Sequence, residues 1–158
     1  LQNLDFELPL FQKHERLCLK KDIAELFEKG QKSTCFPFRI IFNATFSIYQ
    51  MPVFVSPEHD DEETQTPEFE LKAQILVSVS KRNFKNASDR NRLKRQIREA
   101  YRLKKDDFFK KINDHLAQNT NLLIHIGFIY TSKVKEPYSL IERKMEKSLE
   151  EIANKIKH

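Results

Sequence analysis

Tryptophan is absent from these 158 residues, and glycine and cysteine occur only twice each. Each scarcity removes a class of explanation. Gly30 and Gly127 alone cannot form a glycine-rich phosphate loop, which needs several closely approaching backbone N–H groups. Two glycines and six prolines also exclude a collagen-like or linker-like chain. Cys18 and Cys35 match neither a metal-ligand spacing nor a disulfide framework, so a reducing compartment is expected. No run approaches the ~18 apolar residues of a membrane span, and there is no secretory apolar core. The expectation is a cytoplasmic protein with no membrane partner. The chain begins at Leu1 rather than Met, and a short leading segment is expected ahead of it.

What is present suffices for a core. Hydrophobic residues make up 39% of the chain and include 13 Phe. A single domain over residues 1–158 is expected. The net charge of +5 means little until it is located. Between Lys81 and Lys105 stand eleven cations (Lys81, Arg82, Lys85, Arg90, Arg92, Lys94, Arg95, Arg98, Arg102, Lys104 and Lys105) against Asp89 and Glu99. That segment carries +9, which leaves −4 on the rest of the chain. An anionic partner is expected there.

Hydrophobic spacing outlines the elements. Residues Lys20 to Lys29 predict a short helix with Ile23, Leu26 and Phe27 on one stripe and Gly30 at its end. Residues Phe36 to Tyr49 alternate with period two, Phe36, Phe38, Ile40, Phe42, Ala44, Phe46 and Ile48 sharing one face. From about 51 to 69, Pro52, Pro57 and Pro67 bracket the acidic run Glu58 to Glu63, which predicts a solvated loop; Val53 to Val55 offer a little extra strand before it. Residues Leu71 to Ser80 predict a strand, and Ser88 or Asp89 caps a helix running to about Lys105. Residues Leu122 to Tyr130 are apolar on both faces, as in a strand covered on both sides. Pro137 opens a last helix whose stripe is Tyr138, Ile141, Met145, Leu149, Ile152 and Ile156. The order α-β-β-(β)-α-β-α predicts an α+β fold, a two-layer α/β sandwich with helices packed on a small sheet.

The helix after Ser88 divides cleanly on a helical wheel. Leu93, Ile97, Ala100 and Tyr101 gather on one side. Arg90, Asn91, Arg92, Lys94, Arg95, Arg98 and Arg102 sweep the other. Like charges at i,i+4 cost a few tenths of a kcal/mol per pair in an isolated helix, a cost that a bound anion removes. Arginine predominates, and its planar fork matches phosphate oxygens and stacks on bases. A charge run on a helix usually only solvates its face. The near absence of acids and the preference for Arg point instead to a nucleic acid held with a steep salt dependence.

The residues from Ser80 to Arg102 read S-K-R-N-F-K-N-A-S-D-R-N-R-L-K-R-Q-I-R-E-A-Y-R. This segment closely resembles the signature of the bacterial ribonuclease P protein component, whose centre is Arg-Asn-Arg-x-Lys-Arg followed by Arg-Glu-Ala-aromatic. Glu15-Arg16-Leu17, Phe27 to Gly30, the strand around Arg39 to Phe42, and the last strand and helix extend the likeness over most of the chain. Ile23 stands where many members carry an aromatic, and Lys85 where a glycine is common.

The resemblance implies a mixed sheet with a left-handed βαβ crossover, an exception to the usual handedness. It implies that Lys81, Arg82, Arg90, Asn91, Arg92, Lys94, Arg95, Arg98 and Arg102 bind the catalytic RNA subunit. It also implies a cleft for the single-stranded 5′ leader of precursor tRNA, with Phe27, Phe42, Ser78 and Ser80 in it. Aromatic faces suit unpaired bases, each stack being worth ~1–3 kcal/mol. An aromatic stripe on an alternating strand is more often core, and Phe36, Phe38 and Phe46 are assigned there.

No catalytic constellation is legible. Phosphodiester hydrolysis usually needs metal ions held by convergent carboxylates, and the acids here crowd into the proline-bracketed loop. The five histidines are scattered, and His125 within an apolar strand is read as a core residue rather than a general base. The expectation is a binding subunit with no catalytic residue, no metal site and no small-molecule cofactor of its own, the Mg2+ being carried mainly by the RNA. Two other readings stand beside it: a structural, ribosomal-type RNA-binding protein, and a self-sufficient metal nuclease using acids such as Asp60 and Asp61.

Overall fold

The computed structural model describes residues 10–48, 70–116 and 120–156. The acidic run Glu58 to Glu63, its flanking prolines, Tyr49 and the extra strand at Val53 to Val55 lie outside the described residues. Among the described residues, three α-helices accompany a four-stranded sheet: α1 (Lys20–Lys29), β1 (Gln31–Cys35), β2 (Phe38–Ile48), β3 (Leu71–Val79), α2 (Ala87–Asn113), β4 (Thr120–Tyr130) and α3 (Tyr138–Lys155). Strand order is β1-β2-β4-β3, with β1/β2 and β2/β4 antiparallel and β3/β4 parallel. The sheet is therefore mixed, and α2 is the crossover between its two parallel strands. Among the described residues no helix is long and apolar enough to cross a membrane.

Period-two alternation builds the main core. Phe38, Ile40 and Phe42 of β2, Ala73, Ile75, Val77 and Val79 of β3, and Leu122, Ile124, Ile126, Phe128 and Tyr130 of β4 share one face. Against that face pack Leu93, Ile97, Ala100, Tyr101, Phe108 and Ile112 of α2 and Ile141, Met145, Leu149 and Ile152 of α3. The stripe expected for the last helix is thus its inward face, and Pro137 stands at its start. The short α1 covers part of the opposite face, where Leu17, Leu26 and Ile41 form a second buried cluster with Ile23, Leu76 and Ile129 around it.

Several boundaries differ from the expected ones. The strand expected from Phe36 begins at Phe38, because Phe36 and Pro37 form the turn that joins it to a strand not expected from the sequence, β1. That strand, Gln-Lys-Ser-Thr-Cys, buries only Cys35, so it carries no alternation to read. Phe36 sits in the turn between them, 53% exposed, and is not a core residue. Helix α2 starts at Ala87 behind Asn86 rather than behind Ser88 or Asp89, and it runs eight residues past Lys105 to Asn113. Phe108 and Ile112 extend its apolar stripe at i+3 and i+4 spacing, which buries this added length.

Gly30 ends α1 as expected, with a φ of −64°, so no left-handed backbone requires glycine. Close approach does. A Cβ there would lie 2.3 Å from the Leu26 carbonyl oxygen and 2.5 Å from Ile41 Cγ2.

Candidate nucleic-acid interface

The segment before α2 is held from both sides. Phe84 is buried and packs its ring 5.9 Å from that of Tyr130. The Asn83 and Phe84 N–H groups both donate to the Ser80 carbonyl, and the Arg82 N–H donates to Ser80 Oγ. Arg90 Nη1 reaches back to donate to the carbonyls of Phe84 and Lys85, at 2.7 Å each. Arg90 is thus a clamp on the loop, and its guanidinium is only partly available to a ligand. Lys81, Arg82 and Lys85 are presented outward by the loop it clamps.

On α2 itself the wheel is realised. Leu93, Ile97, Ala100 and Tyr101 are each at most 1% exposed. Asn91, Arg92 and Arg95 are exposed on the far side, and Lys94 and Arg98 are half-buried at its margins. Of the eleven cations between Lys81 and Lys105, three meet carboxylates. Arg102 bonds Glu99 at 2.6 and 2.9 Å, Lys104 lies 3.8 Å from Glu142 and 3.6 Å from Glu146, and Lys105 pairs with Glu15. Arg102 was assigned to the RNA face; its mutual hydrogen bonds with Glu99 raise its pKa and lower that of Glu99. Lys81, Arg82, Lys85, Arg92, Lys94, Arg95 and Arg98 meet no carboxylate among the described residues.

Arg16, which carries no charge signal of its own in the sequence, belongs to this electrostatic surface. Partial burial lowers the pKa of Arg98, and the nearby Arg16 guanidinium lowers it further. Arg16 also lies over the Phe11 ring at 5.9 Å. It is brought there because residues Arg16 and Leu17 pair with Ile75 along the free edge of β3. Two guanidiniums that repel each other without a carboxylate between them are stabilised by an incoming anion.

The four residues expected in the leader cleft do not all share one face of the sheet. Phe27 is 42% exposed on α1, the helix that covers part of the second face of the sheet. Ser78 is on that same face, in one row with Ile129 and the exposed Arg39. Ser80 follows the strand, and its hydroxyl accepts the Arg82 N–H. Phe42 is not in the cleft. It is 2% exposed on the opposite face, in the core, with Lys155 Nζ 6.0 Å from its ring centroid. The β2 side chains on the α1 side are Arg39, Ile41 and Asn43, of which Ile41 is buried under α1.

His125 is half-buried in the sheet, and its Nε2 has no hydrogen-bond partner among the described residues. Among those residues no three His, Cys, Asp or Glu side chains gather to hold a metal ion. Asp60 and Asp61 lie outside the described residues.

Comparison with known proteins bears on the family. The family model for ribonuclease P matches residues 11–153. The ribonuclease P protein component of Porphyromonas gingivalis is 32% identical over 144 residues, which span 91% of this chain and 87% of the relative. That of Chlorobium phaeobacteroides is 29% identical over 119 residues, 75% of this chain and 70% of the relative. The solved ribonuclease P protein of Thermotoga maritima superimposes with a TM-score of 0.50 at 16% identity, over 87% of this chain and 96% of that one, a likeness of fold. With the family model spanning nearly all of the described residues, the chain belongs to the bacterial ribonuclease P protein family.

Proposed function

We propose that this chain is the protein subunit of ribonuclease P, which binds a catalytic RNA and assists its endonucleolytic removal of 5′ leaders from precursor tRNA in the cytoplasm. The observation that carries the reading is the set of seven cations, Lys81, Arg82, Lys85, Arg92, Lys94, Arg95 and Arg98, which meet no carboxylate among the described residues and lie along one helix face and the loop before it. Such a strip neutralises phosphates and releases their counterions. Asn91, in the middle of the arc, supplies a neutral donor and acceptor. Arg90 contributes mainly by holding the loop that presents Lys81 and Arg82.

The leader of precursor tRNA is assigned to the α1 side of the sheet, with Phe27 as its stacking surface and Ser78 beside it. The protein is not itself the catalyst in this reading. The described residues gather no donor set for a divalent ion, and the Mg2+ that stabilises the reacting phosphate belongs with the RNA.

Reconstitution tests this directly. The purified protein alone should leave precursor tRNA intact, and adding it to the catalytic RNA should restore cleavage at low Mg2+. If the RNA cleaves equally well with and without the protein, the assignment is lost. A ribosomal-type role would appear as binding to ribosomal RNA with no response to leader length.

A further inference from the structure

Three strands end side by side at one end of the sheet. Val79, Tyr130 and Phe38 are paired neighbours across β3, β4 and β2, so their exits fall within about 10 Å of one another at normal strand spacing. Just beyond them lie the Ser80 to Asn86 loop, the Thr131 to Glu136 segment and the β1–β2 turn that carries Phe36.

These three pieces are tied together. Thr131 donates from both its N–H (2.8 Å) and its hydroxyl (3.0 Å) to the Pro37 carbonyl. The Tyr130 hydroxyl donates to the Val134 carbonyl and accepts the Glu136 N–H, at 2.7 and 2.9 Å. Ser132 Oγ donates to Glu136 Oε1, and Lys135 Nζ meets Asp89 Oδ1 in the first turn of α2 at 2.6 Å. The segment is thus braced and continuous with the start of the basic helix.

On this rim stand two exposed apolar side chains, Phe36 at 53% and Val134 at 60%. At the same end of the sheet are the exposed cations Lys81, Arg82 and Lys133, with no carboxylate partner among the described residues. Of the two carboxylates in these segments, Asp89 pairs with Lys135, and Glu136 accepts from Ser132 Oγ while keeping its charge. An exposed aromatic ring among unpaired cations is the combination that holds an unpaired nucleotide, the ring stacking on the base and the cations meeting the phosphates.

We propose that this rim is a second RNA contact of the protein, in which Phe36 stacks on an unpaired base of the catalytic RNA and Lys133 meets a neighbouring phosphate. The proposal rests on the reading of the chain as a ribonuclease P subunit. The catalytic RNA is the occupant because the rim continues the cationic start of α2, whereas the surface assigned to the leader is the α1 face of the sheet.

The chain has no tryptophan, so Phe36→Trp introduces a single indole reporter. Its emission should be quenched on titration with the catalytic RNA and unchanged by a free leader oligonucleotide. Phe36→Ala should weaken binding of the catalytic RNA roughly 5- to 150-fold, the range of one lost stack, with no change in salt dependence. Lys133→Ala should lower the slope of log affinity against log salt by about 1. Unchanged emission together with unchanged Phe36→Ala affinity, while Arg92→Ala still weakens binding, overturns the rim contact and leaves the proposed function standing. If Arg92→Ala also binds normally, the functional reading itself fails. An emission change that needs no RNA and grows with protein concentration alone makes the rim a self-association surface and likewise overturns the proposal.

Discussion

Lys105 Nζ lies 2.9 and 3.1 Å from the two carboxylate oxygens of Glu15, and both side chains are almost fully withdrawn from solvent. The same ammonium donates to the Leu10 carbonyl at 2.7 Å. One ion pair thus fastens the segment before α1 to the middle of α2, which also keeps Arg16 near Arg98. Removing one partner leaves a buried charge without compensation, a loss of about 3–5 kcal/mol. Lys105→Met and Glu15→Gln should each lower stability by that order in urea titration. The double variant should be less unstable than the sum of the two. Additive losses would mean that the pair does not act as a unit.

Arg90 and Arg92 stand two residues apart in the motif and should behave differently. Arg90 Nη1 serves two backbone carbonyls, and losing a charge-assisted bond of this kind costs about 1.5–3 kcal/mol. Arg90→Ala should therefore lose stability as well as RNA affinity, in contrast to the small stability effect its place on the polar arc suggests. Arg92→Ala should lower affinity and reduce the salt slope by about 1, with a stability change within ~0.5 kcal/mol. Leu93→Ala, at a position only 1% exposed, should cost about 2–5 kcal/mol. Equal stability losses for the three would contradict the division of the helix into two faces.

Local spacing made the inward face of each long element legible. The alternation Phe38, Ile40, Phe42 and the spacing Leu93, Ile97, Ala100, Tyr101 both describe side chains that share a core. Period two states which residues share a side of a strand, however, and not which layer covers that side. Ile41 and Phe42 are both buried, under different helices, and nothing local distinguishes their covers. The cleft role of Phe42 comes from the resemblance alone, whereas the alternation itself groups Phe42 with the core residues Phe38 and Ile40. β1 escaped notice because an edge strand of polar residues need bury only one side chain. The fate of Lys105 was equally hidden, since its partner Glu15 is 90 residues away. The cationic strip was legible because it is local.

Phe42 and Phe27 separate core from cleft. Phe42→Ala should cost about 3–5 kcal/mol by denaturant unfolding, since the ring is enclosed by sheet and α3. Molecules that remain folded should bind leader-bearing precursor tRNA normally. Phe27→Ala should change stability much less and should reduce the preference for substrates with a leader. If Phe42→Leu, which keeps most of the packing, selectively lost that preference, the buried assignment would be refuted.

Gly30→Ala should be among the most damaging single-methyl additions in the chain. The new Cβ would overlap a backbone oxygen at 2.3 Å as well as Ile41 Cγ2, and the Leu26 carbonyl cannot swing aside without opening the end of α1. Overpacking of this kind costs about 1–3 kcal/mol. Pairing it with Ile41→Val addresses only the Ile41 clash, so stability should recover partly at most. Full recovery would show that the backbone contact is not limiting.

Tyr101 gives the protein a limit on the alkaline side. Its hydroxyl is buried without a hydrogen-bond partner among the described residues. Burial chiefly, and then the Glu15 and Asp106 carboxylates, push its pKa well above the ordinary tyrosine value. The folded state therefore keeps the phenol proton at a pH where the unfolded chain, titrating near about 10, releases it. Below that pH the group contributes no pH dependence. Above it, stability falls by up to about 1.4 kcal/mol per pH unit for this one proton. Burial also raises Tyr130 and Tyr138, which adds to the same loss. Tyr101→Phe removes both the titration and the unpaired hydroxyl. It should leave stability at neutral pH unchanged or up to about 1 kcal/mol higher, and it should flatten the decline above pH ~10. Urea midpoints across that range measure both effects. A loss of more than about 2 kcal/mol at neutral pH would mean that the hydroxyl is hydrogen-bonded after all.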